Sequence, residues 1–325
     1  MLAEWALPAF VFTLLAIATV VGRWLRRQDS PAIDRRAVDS FVARIQSWWF
    51  FTGVVALAFF YPTLTVFLFF LISFWSLREF VTLTPTRIGD HRALFWVFFF
   101  FTPMQFLLVA FDNYGLYSVL IPVYGFLFIA ARAAFAGDFD RFLERIAKVQ
   151  CALMICVYCL SFAPALLYLR WDVELIDVAN GRLPGDFAQA GLLFFFMTTV
   201  LLSELLQWVG SRIYGRHVIA PAIDPTRSWE GVVVGALCTA GVGAALSWAT
   251  PFPRWWQAPA MSLLISTMAT AGSLTMSAIK RDRGELTTGN FVEGHGGVLG
   301  RIDAICFAAP VFFHVTRYFF GARLD

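Results

Sequence analysis

The chain has 325 residues, of which 59% are hydrophobic and 14% charged, with 25 Lys and Arg against 22 Asp and Glu, a formal net charge of +3 and a mean hydropathy of +0.70. Soluble domains carry about a quarter of their residues as charges, so a soluble globular domain is excluded, and the near-balance of charge gives no reason to expect a nucleic-acid partner. The 36 Phe and 12 Trp suit lipid-facing helices with interfacial aromatic anchors, and the long unbroken apolar runs exclude the alternating pattern of an outer-membrane barrel.

The fold class that follows is all-α, a polytopic integral membrane helical bundle. A span needs about 20 apolar residues, and ten candidates fall near residues 5–22, 48–62, 63–77, 94–111, 115–134, 150–169, 190–210, 231–250, 259–279 and 302–319. The first has no basic residue before it and Arg23, Arg26 and Arg27 after it, the reverse of a cleavable signal peptide, so it is expected to remain as an anchor. The second and third are short and meet at Tyr61-Pro62, which leaves open a single bent or re-entrant element. Two connectors carry a helical apolar period. One follows Ser30-Pro31 with Val38, Phe41, Val42 and Ile45; the other holds Phe139, Phe142, Leu143, Ile146 and Val149 among Arg141, Arg145 and Lys148. Each is expected either to lie in the headgroup plane or to pack as an ordinary connector.

Residues 1–189 thus form an N-terminal set of membrane helices with amphipathic connectors, and residues 190–325 a C-terminal membrane core. With the segment after the first span placed inside, Lys and Arg divide 20 inside to 5 outside. The positive-inside rule supports the count and places the polar loops of the core in the cytoplasm, as in a bacterial inner membrane. Cys156-Val157-Tyr158-Cys159 has redox or zinc spacing but sits inside a span with no second pair beside it, so the five cysteines are read as small buried hydrophobes and given no metal.

Two inside loops concentrate potential ligands. The first runs Gly210-Ser211-Arg212-Ile213-Tyr214-Gly215-Arg216 and on to Asp224-Pro225-Thr226-Arg227-Ser228-Trp229-Glu230-Gly231. The second runs from Ser277 through Lys280, Arg281 and Arg283 to His295-Gly296-Gly297 and Arg301-Ile302-Asp303. Fixed cations beside glycines, whose backbone N–H groups approach an anion without an intervening Cβ, make a phosphate-handling surface. Glu204 stands out as an acid within an apolar span, costly unless paired or facing a cavity.

In order and separation these loops resemble the CTP:phosphatidate cytidylyltransferases, or CDP-diacylglycerol synthases. The family signature of Ser, Lys-Arg, Lys-Asp, His-Gly-Gly and Asp-Arg-x-Asp corresponds to Ser277, Lys280-Arg281, Leu286-Thr287, His295-Gly296-Gly297 and Gly300-Arg301-Ile302-Asp303. The family's Ser-Pro-Lys-Lys-Thr-Trp-Glu-Gly corresponds to Asp224 through Gly231, and the likeness covers residues 190–320, with only general hydropathy before them. The resemblance implies attack of a phosphatidate oxygen on the α-phosphate of CTP with loss of pyrophosphate, assisted by Mg²⁺. It implies Arg212, Arg216, Arg227, Ser228, Ser277, Lys280, Arg281, Gly296, Gly297 and Arg301 as substrate-binding, Asp303, Glu204, Glu230 and His295 as catalytic, and Asp303 as a metal ligand.

The departures fall on acids. Thr287, Gly300, Ser273 and Met276 stand where the family carries carboxylates, and Ser203-Glu204 stands where it carries an acidic pair. Two readings follow: a transferase with a rearranged Mg²⁺ site, and a non-catalytic binder of an anionic lipid or nucleotide. A transporter ranks behind both, because apart from Glu204 the spans are nearly free of charge. His295 serves equally as a phosphate ligand or a turn residue, Trp229 is read as an interface anchor, and a homo-oligomer stays open.

Overall fold

The computed structural model describes residues 60–83, 87–170, 186–284 and 297–321, with isolated positions between 12 and 57. Eight helices follow one another: α1 Pro62–Thr82, α2 His91–Ala110, α3 Tyr114–Ala134, α4 Phe142–Tyr168, α5 Asp186–Tyr214, α6 Trp229–Ala245, α7 Gln257–Asp282 and α8 Leu299–Phe320. A hairpin of β1 Val218–Ala220 antiparallel to β2 Asp224–Ser228 sits between α5 and α6. Among the described residues seven helices are long and apolar enough to cross a membrane, and α6 is a shorter apolar helix of 17 residues. The chain is a polytopic helical membrane protein.

These eight helices correspond to the third through tenth expected spans; the expected spans at 5–22 and 48–62 are described only in part, and the connector after Ser30-Pro31 lies largely outside the described residues. Pro62 opens α1, where its missing N–H is one that no helix would have bonded. Within α2, α3 and α4 the winding widens to a π turn at Val97–Phe101, Leu120–Gly125 and Met154–Cys159. Each lies at or shortly before a proline, Pro103, Pro122 and Pro164, whose ring removes a backbone donor and shifts the hydrogen-bond ladder.

One expectation needs correcting. The basic connector around 139–149 is no separate helix in the headgroup plane, because α4 begins at Phe142 and runs unbroken to Tyr168. The reason is electrostatic. Arg145 is only 6% exposed: its Nε lies 3.1 Å from Asp90 Oδ1, its Nη1 lies 2.7 Å from Asp138 Oδ2, and its guanidinium donates to the Asp138 and Asp140 carbonyls. With its charge answered, the start of α4 turns inward on Ile146 and Val149, leaving Phe139 and Leu143 outside. Likewise α5 and α7 extend past the expected ends, so Arg212, Lys280 and Arg281 are helical rather than in loops.

The core gathers around α8. Ile302, Ile305, Cys306, Ala309, Phe312 and Phe313 are fully buried, and α8 packs on α1 and α4 from the first half and on α5 and α7 from the second. Phe312 stacks on Phe196 at 5.3 Å between ring centroids, and Phe313 lies 5.2 Å from Phe162. Cys156 and Cys306 are buried in this core as expected, whereas Cys151 and Cys159 are half-buried and Cys238, against expectation, is exposed on the apolar helix α6.

Alternating helix directions put the end of α1, the start of α2, the start of α4, the ends of α5 and α7 and the starts of α6 and α8 at one end of the bundle. Contacts of Glu79, Arg145 and Arg227 with their partners hold that end together. At the opposite end Arg170 pairs with Asp112, and Arg317 lies 3.7 Å above the Tyr114 ring.

Candidate functional site

The second half of the chain meets itself at the motif end through a buried polar cluster. Gln207 on α5 donates to Ser266 Oγ at 2.9 Å, and its Oε1 accepts from Thr270 Oγ1 at 2.9 Å, both on α7. The same Oε1 accepts from Arg227 Nη1 at 3.2 Å. Arg227, last but one in β2, thereby swings into the bundle, with Nε 3.3 Å from Asp224 Oδ2 and Nη2 3.5 Å from Glu204 Oε1. One guanidinium faces two carboxylates, which answers the cost of Glu204 within an apolar helix.

Asp303 lies one turn into α8, buried, with Oδ1 accepting the Ala304 N–H at 2.8 Å. Glu204, Lys280 and Arg227 are all within electrostatic reach of it. Four elements, α5, β2, α7 and α8, therefore converge their charges on one volume, and the two polar loops meet. Lys280 and Arg281 make no hydrogen bond or ion pair with any described residue, and Lys280 is half-buried while Arg281 is exposed.

Other expected site residues take up structural work. Ser228 caps α6, accepting the Gly231 N–H at 3.1 Å, while its own N–H donates to Ser211 Oγ. A Cβ on Gly231 would fall 2.0 Å from that Ser211 Oγ, so the Trp-Glu-Gly tripeptide is shaped by the crossing of α5 and α6. Glu230 accepts the Arg216 and His217 N–H groups at 3.1 and 3.2 Å and pairs with His217 Nδ1, tying the turn after α5 to the start of α6. The Arg216 side chain is exposed, Arg212 lies over the Trp208 ring at 5.3 Å, and Ser277 sits half-buried on α7. Trp229 is exposed, as an interface anchor would be. His295 and Gly296 lie outside the described residues.

Gly297 has a partner that sequence reasoning missed. Glu79, at the end of α1, accepts the Val298 and Leu299 N–H groups at 3.1 and 2.8 Å, and Arg301 is within its electrostatic reach. Gln207, Ser266 and Thr270 were missed as well. Only their helical spacing could have pointed to them: Ser266 and Thr270 are one turn apart on α7, and Ser203 and Gln207 one turn apart on α5, polar positions on otherwise apolar faces.

As for metal, the described residues contain no group of three or more His, Cys, Asp or Glu side chains arranged to hold an ion. Two carboxylates do lie within electrostatic reach of each other, Glu204 and Asp303. Mg²⁺ commonly takes one or two protein carboxylates and completes its shell with substrate phosphates and water, and these two carboxylates have the donor chemistry it uses.

Comparison with known proteins bears on this geometry. The pattern of the Cytidylyltransferase family matches residues 42–319, so the likeness extends well into the first half of the chain. The chain is 30% identical over 315 residues to the "Uncharacterized protein YnbB" of Escherichia coli (strain K12), covering 95% of this chain and 97% of that one. It is 28% identical over 160 residues to the phosphatidate cytidylyltransferase of Brucella abortus biovar 1 (strain 9-941), covering 49% of this chain and 56% of the relative. With the phosphatidate cytidylyltransferase of Mycobacterium leprae (strain TN) it shares 32% over 126 residues, 38% of this chain and 39% of the relative. The matched region thus spans about half or less of these transferases.

Proposed function

The chain belongs to the cytidylyltransferase family, and we propose that it transfers CMP from CTP to phosphatidate or a closely similar anionic lipid, giving CDP-diacylglycerol and pyrophosphate. The observation that carries this reading is the convergence of Asp303, Glu204, Arg227 and Lys280 from four elements at one end of a membrane bundle. A lipid phosphate reaches that level laterally and a nucleotide reaches it from water.

The chemistry asks for anions to be brought together. A phosphatidate oxygen attacks the α-phosphorus of CTP, the bond to the β-phosphate oxygen breaks, and charge gathers on the departing pyrophosphate. Lys280 and Arg281, which make no hydrogen bond or ion pair with any described residue, hold phosphate oxygens; Arg216 reaches from the exposed turn after α5. Arg227 stays with Glu204 and Asp224 and fixes the acid geometry. Glu204 and Asp303 are the residues that would hold Mg²⁺, which when bound neutralises charge on the phosphates. The motif end faces the cytosol, where CTP is found, in keeping with the basic residues gathered there.

The second reading, a non-catalytic binder of the same ligands, is favoured by Ser273, Met276, Thr287 and Gly300 at the family's acidic positions. The full chain in phosphatidate liposomes with radiolabelled CTP and Mg²⁺ or Mn²⁺ separates the two. Labelled CDP-diacylglycerol with matching pyrophosphate is expected. Retained binding of CTP or phosphatidate without product would leave the second reading standing.

A further inference from the structure

We propose that Glu79, on α1, is a positioning residue for the site: it sets the first turn of α8 and through it the placement of Arg301 and Asp303. The proposal rests on the transfer reading above and extends it to a residue more than 200 positions upstream of the motif it serves.

The start of a helix leaves backbone N–H groups without intrahelical partners. Val298, which precedes α8, offers no side-chain cap. Glu79 supplies one from another helix, with Oε1 on the Val298 N–H and Oε2 on the Leu299 N–H. Both carboxylate oxygens are thus committed, and the side chain is only 7% exposed. A carboxylate in such a place is costly unless bonded and opposed by positive charge, and Arg301 and the positive end of α8 supply that charge.

The approach is so close that any side chain at Gly297 would displace the Glu79 carboxylate. A Cβ on Gly297 would lie 2.4 Å from Glu79 Oε2 and 2.7 Å from Cδ and Oε1. Part of the His-Gly-Gly signature is therefore explained by a carboxylate from the first half of the chain, which had no role in the sequence reading. Asp303 follows Leu299 by one turn. Any tilt or slide of that turn moves Asp303 relative to Glu204 and Lys280, and a misplacement of about 1 Å costs roughly 100-fold in rate.

A cap that served folding alone would behave differently from one that aims a catalytic turn, and conservative variants tell them apart. In Glu79→Gln one amide oxygen accepts one N–H while the NH₂ opposes the other. At a temperature where every variant is folded, its kcat should fall roughly 100-fold while KM for CTP moves less than about threefold. Glu79→Asp keeps both acceptors on a shorter stem and should recover to within about tenfold of the parent. Gly297→Ala should be poor, and adding Glu79→Asp to it should raise kcat, because the shorter carboxylate makes room for the methyl.

A kcat for Glu79→Gln within about twofold of the parent, or no recovery in Glu79→Asp, would overturn the proposal. If the parent protein makes no CDP-diacylglycerol at all, it is the transfer reading that has failed. The Glu79 contact is then read from thermal unfolding of the same cycle, where the double variant should be less destabilised than the two single changes added together. Strict additivity there would overturn it too.

Discussion

Two charged clusters lie at the motif end, and they are built on opposite plans. Around Arg145 every charge is spent internally: the guanidinium faces Asp90 and Asp138 and two carbonyls, and Arg87 takes Asp138 and Asp140. Around Asp303 the charges come from four elements, and among the described residues several stay uncommitted, with Lys280 and Arg281 making no hydrogen bond or ion pair and Asp303 bonded only to the next residue's N–H. A closed cluster clamps two connectors of the first half. An open one has capacity left for a ligand. The difference lies in valence rather than in residue type, since both contain arginines and aspartates.

The comparison predicts opposite phenotypes. Arg145→Ala should remove about 3–5 kcal/mol of stability, because buried Asp90 is left without its counter-charge and Asp138 keeps only Arg87; thermal unfolding measures it, and kcat at a permissive temperature should stay close to the parent. Asp303→Asn should do the reverse, lowering CMP transfer by about 10²–10³-fold with unfolding little changed. Were Asp303→Asn to unfold the protein instead, the open cluster would be a second clamp. Ser228→Ala, the loss of a helix cap, should cost about 1 kcal/mol of stability, and a larger loss of CTP affinity than of stability would restore Ser228 to the ligand-binding set.

The smallest effect concerns pH. Partial burial works against the ionised Asp138, but the Asp140 N–H and the Arg145 and Arg87 guanidiniums outweigh it and hold the carboxyl below its ordinary value of 3.8. A folded value below the unfolded one means stability that is complete above about pH 4 and lost as pH falls through the folded value. The gap in melting temperature between the parent and Asp138→Asn should therefore be constant from about pH 8 to pH 5 and shrink below about pH 4.

Much of this architecture was legible in the residues. Apolar runs located the eight helices from Pro62 onward, because a span advertises itself by composition alone. Helix ends were harder. Lys280 and Arg281 looked like loop residues since charge marks the membrane boundary, yet a helix can continue past that boundary, and α7 does. The meeting of the two polar loops was expected from their shared side of the membrane, and Arg227 beside Glu204, with Asp303 in reach, realises it. Glu79 was invisible for a plain reason: a carboxylate at the end of an apolar run reads as a solvated terminus, and only the fold brings it to Val298. Glu230 shows the converse. Its motif suggested chemistry, while its oxygens satisfy the turn at Arg216 and His217.

Equilibrium binding of CTP and of cytidine to the parent and to Lys280→Ala tests the open cluster most directly. A charge-assisted contact to phosphate contributes about 1.5–3 kcal/mol, so Lys280→Ala should weaken CTP binding by roughly tenfold or more and leave cytidine unaffected. Equal CTP affinity in the two proteins would contradict a phosphate-gripping role for this end of the bundle.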